Sequence, residues 1–278
     1  AVIALVGVAA ALFFTMSPSA SLNESQFRDF MDVYRVGYGT SEEYAYRLGV
    51  FEDNLKRIEE LNKANPLATF GVNMFADRTP QEMEKLMGLS IPAHKTNRNV
   101  VHRAPVNGKS VDWTDMWSAV KNQGQCGSCW AFSATAAFEA RYALNGGSKK
   151  VETLFSEQEL VDCDPQSSGC NGGFMDYAFE YLETHGFCTE EQYPYTARDG
   201  TCKESQCTSG PSDKAFVDIN AGDEDGMLDE LLNGPLSVAV DASTWSFYAG
   251  GVLSSCGKSL NHGVTLVQTD FEASTPFA

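Results

Sequence analysis

The sequence predicts an α+β protein whose body has two lobes and follows a mostly helical segment. Three observations lead to this prediction. Apolar residues recur at helical spacing through residues 21–88, helical patterns return over 129–232, and strand-like runs come late, at 236–240 and 264–268. Helices followed by β-structure favour separate helical and β-rich parts rather than alternating βα units. The 278 residues, 43% of them hydrophobic, supply enough apolar material for one large domain or two modest ones.

The first segment, residues 21–88, is predicted to contain three helices. Apolar stripes indicate a short helix and then a longer one over about residues 41–64. The stripes consist of Phe27, Phe30, Met31 and Tyr34 in the first helix, and Tyr44, Leu48, Phe51, Leu55 and Ile58 in the second. Thr79 and Glu82 around Pro80 form a capping box that begins the third helix. Residues 71–77 are predicted to form a short extended piece.

Charge and composition indicate how the chain is organised and what it does not bind. Twenty Lys and Arg against 37 Asp and Glu give a net charge of −17, which argues against nucleic-acid binding and a basic membrane face. The apolar run at residues 1–14 is too short to span a bilayer and resembles the core of a signal peptide. Residues 86–111 contain no Asp or Glu, which predicts an exposed, protease-sensitive linker. A helical front joined by such a linker to a body is typical of a zymogen.

The body is predicted to begin with helices. Ser128 is placed to cap a helix from Cys129 to about residue 144, and residues 156–159 form a capping box for a second helix. Further helices are predicted over 175–184 and 225–232.

Cys129 is the candidate nucleophile. At the start of a helix the unpaired N–H groups and the macrodipole favour a thiolate, which still needs a base. His94 and His102 fall in the linker and His185 closes a helix, which leaves His262, 133 residues beyond Cys129. Gln123, six residues upstream, is placed to offer its amide to an oxyanion together with the Cys129 backbone N–H.

The sequence resembles the papain-like cysteine protease precursors of the cathepsin L type. Cys126-Gly-Ser-Cys129-Trp130 matches the papain and cathepsin signature, and residues 169–173 (GCNGG) and 193–195 (YPY) match two further family motifs. The inhibitor propeptide of the family has an interspersed ERFNIN pattern and a GxNxFxD motif, and both are present. The matching residues are Glu43, Arg47, Phe51, Asn54, Ile58 and Asn62, then Gly71, Asn73, Phe75 and Asp77. Their spacing predicts an i,i+4 ion pair between Glu43 and Arg47.

The resemblance implies a papain-like two-lobe fold, with a helical lobe, an incomplete β-barrel-like lobe and a preceding helical propeptide. It implies a partial signal peptide over 1–20, an inhibitor propeptide over 21–88, an activation linker over 89–107 and a peptidase domain over 108–278. Cys129 and His262 then act as the catalytic pair of a cysteine endopeptidase, and Gln123 binds the oxyanion. The implied substrate-binding residues are Gly172, Gly173, Phe174, Met175, Ala239, Leu260, Asn261 and Gly263. The apolar or small members of this set predict a hydrophobic side chain at the substrate position P2.

The family pairing of cysteines implies the disulfides Cys126–Cys170 and Cys163–Cys202. Cys188 and Cys207 are predicted to form a third, and Cys256 is left without a partner. The resemblance also implies an Asn that orients the imidazole, about 130–150 residues after the Cys, and no Asn follows Asn261. The C-terminal part of the peptidase domain is therefore expected to be missing from this sequence.

Other functions compete with this interpretation. Cys126 and Cys129 form a C-x-x-C pair that a thioredoxin-like redox protein would use, although no βαβ pattern surrounds it. A zinc site lacks a second ligand pair, so no metal or cofactor is expected. The missing Asn keeps open a catalytically impaired or inactive secreted homologue that acts as a propeptide-type inhibitor.

The expected partners are protein and peptide substrates and the chain's own propeptide. We expect a monomer that is free of membranes once its signal is removed. The eight cysteines indicate the secretory pathway, with a lysosome, a vacuole or the extracellular space as destination. Activation at low pH is expected through protonation of propeptide carboxylates such as Glu43 and Asp77, which loosens their pairing with the lobes.

Overall fold

The computed structural model describes residues 18–93, 109–117, 119–208 and 210–278. Most of the predicted signal peptide (residues 1–17) and the greater part of the predicted linker (residues 94–107) lie outside these residues. In the described part of the chain, no helix combines the length and the apolar character that crossing a bilayer requires.

The propeptide is built on two helices that cross over a cluster of aromatic side chains. Helix α1 spans Pro18–Tyr34 and helix α2 spans Ser41–Ala64. Their predicted stripes meet, because Phe27, Phe30 and Phe51 are each at most 2% exposed and pack with Ala76. Helix α3, Pro80–Glu84, begins with the predicted capping box between Thr79 and Glu82.

Asparagines of the predicted propeptide motifs bind the turns that follow α2. Asn54 Nδ2 donates to the carbonyl oxygens of Ala76 and Arg78 at 2.9 and 2.8 Å. The Asn62 amide accepts from Phe70 N and donates to Phe70 O, both at 2.9 Å. These bonds occupy backbone groups that would otherwise be buried without partners.

A short strand joins the propeptide to the body. Strand β1, Ala68–Phe70, pairs antiparallel with β4, Tyr248–Gly251. Asn73 Nδ2 donates to Ser246 O at 2.8 Å beside this ladder. Phe247, 2% exposed, packs into the apolar cluster that Ile58 and its neighbours form at the same place.

The helical lobe of the body surrounds helix α4, Cys129–Asn145. Helices α5 (Glu157–Cys163) and α6 (Met175–Thr184) pack against it, and α7 (Glu224–Leu231) follows later in the chain. The core contains Trp130, Leu160 and Leu182, each 0% exposed.

The β-rich lobe consists of antiparallel pairs. Strand β3, Leu236–Val240, pairs with β5, His262–Leu266, so that Val240 lies opposite His262. Strand β2, Val111–Asp112, pairs with β6, Gln268–Thr269. Within the described residues each sheet has two strands and no barrel closes.

Four local predictions are wrong. Residues 71–77 contain no strand and form turns at 74–77, and the strand lies just before them at Ala68–Phe70. Ser128 stands at the N-cap of α4 but makes no capping hydrogen bond. At α5, Ser156 Oγ does accept from Glu159 N, but the Glu159 carboxylate binds Cys188 N and the Tyr181 hydroxyl instead of completing the box.

The fourth wrong prediction is the ion pair between Glu43 and Arg47. Arg47 instead pairs with Glu82 through two hydrogen bonds of 2.7 and 2.8 Å, while Glu43 accepts from Gly39 N at 3.1 Å. A planar guanidinium gains more from a bidentate carboxylate than from a single contact along its own helix, so α2 is joined to α3.

Candidate active site

Cys129 and the strand that begins with His262 come from the two lobes, and they meet where β5 crosses the first turn of α4. Cys129 is 1% exposed, and the backbone N–H of Gly263 lies 3.4 Å from its Sγ. A methyl group at Gly263 would lie 3.0 Å from Met175 Sδ and 3.3 Å from Cys129 O. Glycine at this position therefore allows the strand that begins with His262 to rest directly on the helix.

A serine one turn along α4 holds the same strand. Ser133, 2% exposed, donates from Oγ to Val264 O at 2.6 Å, and its Oγ lies 2.6 Å from Ser237 Oγ. Because a carbonyl oxygen only accepts, Ser237 donates to Ser133. This chain of hydroxyls connects α4, β3 and β5, and the sequence analysis did not identify it.

Burial disfavours the charged form of both Cys129 and His262 in this structure. It raises the pKa of the Cys129 thiol, an effect that the backbone N–H groups of Gly263, Gly88, Trp130 and Cys129 itself oppose. Burial also lowers the pKa of His262. In the covered site, burial therefore opposes the thiolate that was expected at the helix start, because desolvation outweighs the opposing backbone N–H groups.

The cover is the segment that follows α3, residues 86–90, which spans the predicted boundary between propeptide and linker. Gly173 N donates to Gly88 O at 2.9 Å, and Ser90 N donates to Gly173 O at 2.8 Å. Leu89, which these two bonds flank, runs parallel to Gly173, and its N–H donates to Asn261 O at 3.2 Å. A side chain at Gly88 would overlap the carbonyl oxygen of Gly127, so only glycine fits there.

The first residues of the predicted linker are therefore not an exposed strap. The predicted exposed stretch begins at residue 86, yet Leu86 and Gly88 are buried, and Leu89 packs against the core of the helical lobe. The sequence showed a run of small and apolar residues at 86–89 without acidic groups, but it gave no sign that this run pairs with the body.

Gln123 is engaged by the same segment. Its Nε2 donates to Cys126 O at 2.8 Å and to Leu86 O at 2.9 Å. One amide proton thus holds the side chain against its own loop, while the other binds a propeptide carbonyl oxygen.

The predicted substrate-binding residues lie partly together. Phe174 and Met175, each 5% exposed, belong to the core, and Ala239 packs against it together with Leu89. Leu260 is 47% exposed. The Asn261 side chain is occupied within its own lobe, since its Oδ1 accepts from Ala242 N at 2.9 Å.

His262 has one buried ring nitrogen without a partner. Its Nδ1 makes no hydrogen bond to any described residue. A buried polar atom without a partner costs roughly 1–3 kcal/mol.

The cysteines separate the competing chemistries. The structure contains the disulfides Cys126–Cys170, Cys163–Cys202 and Cys188–Cys207, while Cys129 and Cys256 are free. Because Cys126 is bonded to Cys170, the C-x-x-C pair is not a dithiol redox couple.

Comparisons with known proteins define the class. The model of the papain family cysteine protease matches residues 107–277, and that of the cathepsin propeptide inhibitor domain matches residues 27–83. Cathepsin L 2 of Paramecium tetraurelia is 42% identical over 247 residues, which cover 84% of this chain and 76% of that protein. Cysteine proteinase 1 of Zea mays is 39% identical over 267 residues, covering 88% and 71%.

Solved proforms have the same fold. Digestive procathepsin L 3 from the larval midgut of Tenebrio molitor superposes with a TM-score of 0.79 at 33% identity, covering 92% of this chain and 86% of that one. Recombinant stem bromelain precursor gives 0.81 at 31% identity, covering 91% and 84%. These are precursors of cysteine proteases with an inhibitor propeptide. The chain belongs to the papain family and is a cysteine endopeptidase zymogen with a papain-like α+β fold.

Proposed function

We propose that Cys129 is the nucleophile of this endopeptidase, that His262 is its acid and base, and that Gln123 stabilises the oxyanion. The observation that carries the proposal is the 2.9 Å hydrogen bond from Gln123 Nε2 to Leu86 O. The Leu86 carbonyl oxygen binds the Gln123 amide near the Cys129 sulfur, which itself contacts the strand of His262. This arrangement fits a site that binds the carbonyl group of a peptide substrate.

The steps follow from these positions. When the propeptide leaves, water reaches the pair, and the loss of the desolvation penalty favours proton transfer from Cys129 to His262. The thiolate attacks the substrate carbonyl, and the resulting oxyanion binds the Gln123 amide and the Cys129 N–H. His262 then protonates the leaving amine, which leaves a thioester that water hydrolyses.

The propeptide contacts support a hydrophobic side chain at P2. Gly173 binds both sides of Leu89, and an extended substrate of opposite direction retains the same two hydrogen bonds. Its central side chain then takes the place of Leu89, against the core that contains Phe174 and Met175. The parallel direction of residues 88–90 gives the bound propeptide a backbone polarity opposite to that of such a substrate.

A peptide panel tests this specificity. Substrates that differ only at P2, with Leu, Phe, Arg or Glu, should show the highest kcat/KM for Leu and Phe. A higher kcat/KM for Arg than for both would contradict the proposed pocket.

We place the zymogen in the secretory pathway, on its way to a lysosome, a vacuole or the outside of the cell. The three disulfides support an oxidising compartment. The predicted signal peptide falls within residues 1–20, and the monomeric state remains a prediction.

A second candidate is a catalytically impaired homologue whose propeptide inhibits other proteases. The buried Nδ1 of His262 favours it, since no described residue orients the imidazole through this atom and an imidazole without an orienting hydrogen bond loses orders of magnitude in rate in triad enzymes. Titration with an epoxysuccinyl thiol trap separates the two. Stoichiometric labelling of Cys129 supports the protease, whereas no labelling together with inhibition of other cysteine proteases supports the homologue.

A further inference from the structure

Tyr195 has no part in the steps above, yet its hydroxyl contacts both segments that lead to the nucleophile. Its Oη lies 2.8 Å from Gln123 O and 2.6 Å from Ser128 Oγ. The carbonyl oxygen can only accept, so Tyr195 gives its single proton to Gln123 O. Ser128 must then donate to Tyr195. The hydrogen bonds therefore run from the residue before Cys129, through the phenol, to the backbone of Gln123.

The phenol ring is itself held in place. Phe132 of α4 packs edge-on against it, with ring centroids 4.9 Å apart and an interplanar angle of 86°. The backbone N–H of Tyr195 donates to Glu190 Oε1 at 2.9 Å. Burial raises the pKa of Tyr195 to about 12, so the hydroxyl keeps its proton at the pH of any compartment. Ser128, 0% exposed, is engaged here instead of capping α4.

We propose that Tyr195 is a positioning residue that sets the direction of the oxyanion-binding amide. The inference rests on the proposed role of Gln123. One proton of Gln123 Nε2 is held by Cys126 O, and the other is directed into the cleft, where it binds Leu86 O. The direction of that second proton depends on the backbone from which the side chain extends. Tyr195 fixes this backbone at the Gln123 carbonyl and fixes residue 128 next to the sulfur.

Tyr195→Phe tests the proposal, because it removes the hydroxyl and keeps the ring. The same motif supplies a matched control, Tyr193→Phe, which removes a hydroxyl bound to Asp162 Oδ2 at 2.8 Å and to Lys203 N at 3.1 Å. Both variants are made in the full chain, which is activated after folding. Removing an oxyanion donor costs roughly 10²–10³ in kcat, so displacing one should cost less, about tenfold, with KM unchanged. Tyr193→Phe should leave kcat within about twofold.

Two readouts separate positioning from a general loss of structure. A peptide aldehyde adds to Cys129 as a tetrahedral adduct, and its affinity should fall with kcat in Tyr195→Phe. Alkylation of Cys129 by iodoacetamide forms no oxyanion, so its rate should stay unchanged. In a Gln123→Ala background, adding Tyr195→Phe should lower kcat no further.

Different results would overturn the positioning role of Tyr195 and the proposed roles of Cys129 and Gln123. An equal loss in kcat from Tyr195→Phe with and without Gln123, or an equal loss from Tyr193→Phe, would overturn the positioning role while the protease function stands. Wild-type protein that neither cleaves peptides nor binds the aldehyde would overturn the proposed roles of Cys129 and Gln123, and the inference with them.

Discussion

Glu159 is a buried carboxyl group from which the pH dependence of stability can be predicted. Its side chain is 0% exposed, its Oε2 accepts from Cys188 N at 2.6 Å, and its Oε1 accepts from the Tyr181 hydroxyl at 3.2 Å. Burial raises the pKa of Glu159 to about 7, and the nearby Glu204 carboxylate adds to the effect. The Cys188 N–H, the Tyr181 hydroxyl and His185 oppose it.

The size and sign of the effect follow from linkage. An unfolded-state pKa of 4.5 and a folded-state value of about 7 differ by about 2.5, which at 1.36 kcal/mol each corresponds to about 3 kcal/mol. Because the folded pKa is the higher one, this stabilisation is fully present below pH 4.5. It is lost as the pH rises through about 7. The protein should therefore be less stable at neutral pH than in acid.

Glu159→Gln removes the titration and keeps the shape of the side chain. Made in a Cys129→Ala background, which prevents self-cleavage, it should match its parent at pH 4.5 and exceed it at pH 7.5 by up to about 3 kcal/mol. Urea denaturation at four pH values measures the difference. Burial also raises the pKa of Glu157 to about 7, so Glu157 adds a pH dependence of the unfolding free energy that is the same in the parent and in Glu159→Gln.

The control is Glu191→Gln, the same charge change at an exposed residue, which should leave the pH dependence of the unfolding free energy unaltered. Parallel stability curves for parent and Glu159→Gln between pH 4.5 and 7.5 would refute the reasoning, as would a variant less stable than its parent at pH 7.5.

Three further predictions concern the propeptide and the pairing of the lobes. Gly88→Ala should weaken inhibition by the propeptide at least tenfold, because no side chain fits between residue 88 and the loop before Cys129. The measurement is the inhibition constant of the isolated variant propeptide against mature enzyme. An unchanged inhibition constant would contradict the close approach of the two backbones. Arg47 holds the pKa of Glu82 at about 2, so Glu82 is ionised at both pH 4.5 and pH 7.5. Glu82→Gln should therefore lower the free energy of unfolding of the zymogen by about 1–2 kcal/mol at both pH values. Thermal melts that show a loss at only one pH would contradict this prediction. Ser133→Ala should lower kcat by about tenfold with KM unchanged, because Ser133 holds β5 against α4. The control Thr135→Val removes a buried hydroxyl that makes no hydrogen bond and should leave kcat unchanged. Equal kcat values for the two variants would refute the role of Ser133 in positioning β5.

The helices of the propeptide were predictable because their sequence is locally consistent. Helix α2 has the predicted bounds Ser41–Ala64, and α3 has the predicted capping box. Arg47 was misassigned because an i,i+4 partner is visible in a sequence, whereas a carboxylate 35 residues away is visible only in three dimensions. Residues 74–77 form turns at which Asn54 of α2 binds the carbonyl oxygens of Ala76 and Arg78, and propensity does not register such contacts.

The residues of the proposed site were identified from the sequence, whereas the segment that covers them was not. The resemblance supplied Cys129, His262 and Gln123, and elimination among the four histidines gave the same imidazole. The raised pKa of the Cys129 thiol could not be predicted, because its cause is burial in a site that residues 86–90 cover, and composition had marked those residues as exposed. Tyr195 was noted only as part of a motif, since no sequence pattern indicates which backbone oxygen a phenol binds.

The acid trigger expected from Glu43 and Asp77 does not fit their contacts, and this changes how activation should be understood. Asp77 accepts from the Tyr38 hydroxyl at 2.9 Å and Glu43 from Gly39 N, so both groups stabilise the propeptide internally. The propeptide contacts the body mainly at two places, around the pairing of β1 with β4 and along residues 86–90 in the cleft.

Two weak attachments on one folded unit act together, because the first raises the effective concentration of the second. The unit must stay folded for this to work, and the Arg47–Glu82 pair that joins α2 to α3 lies between the two attachments. Since the pKa of Glu82 is about 2, this pair persists in moderate acid. Moderate acid therefore leaves this ion pair intact, and we expect release of the propeptide to follow its unfolding or cleavage of the chain after residue 90.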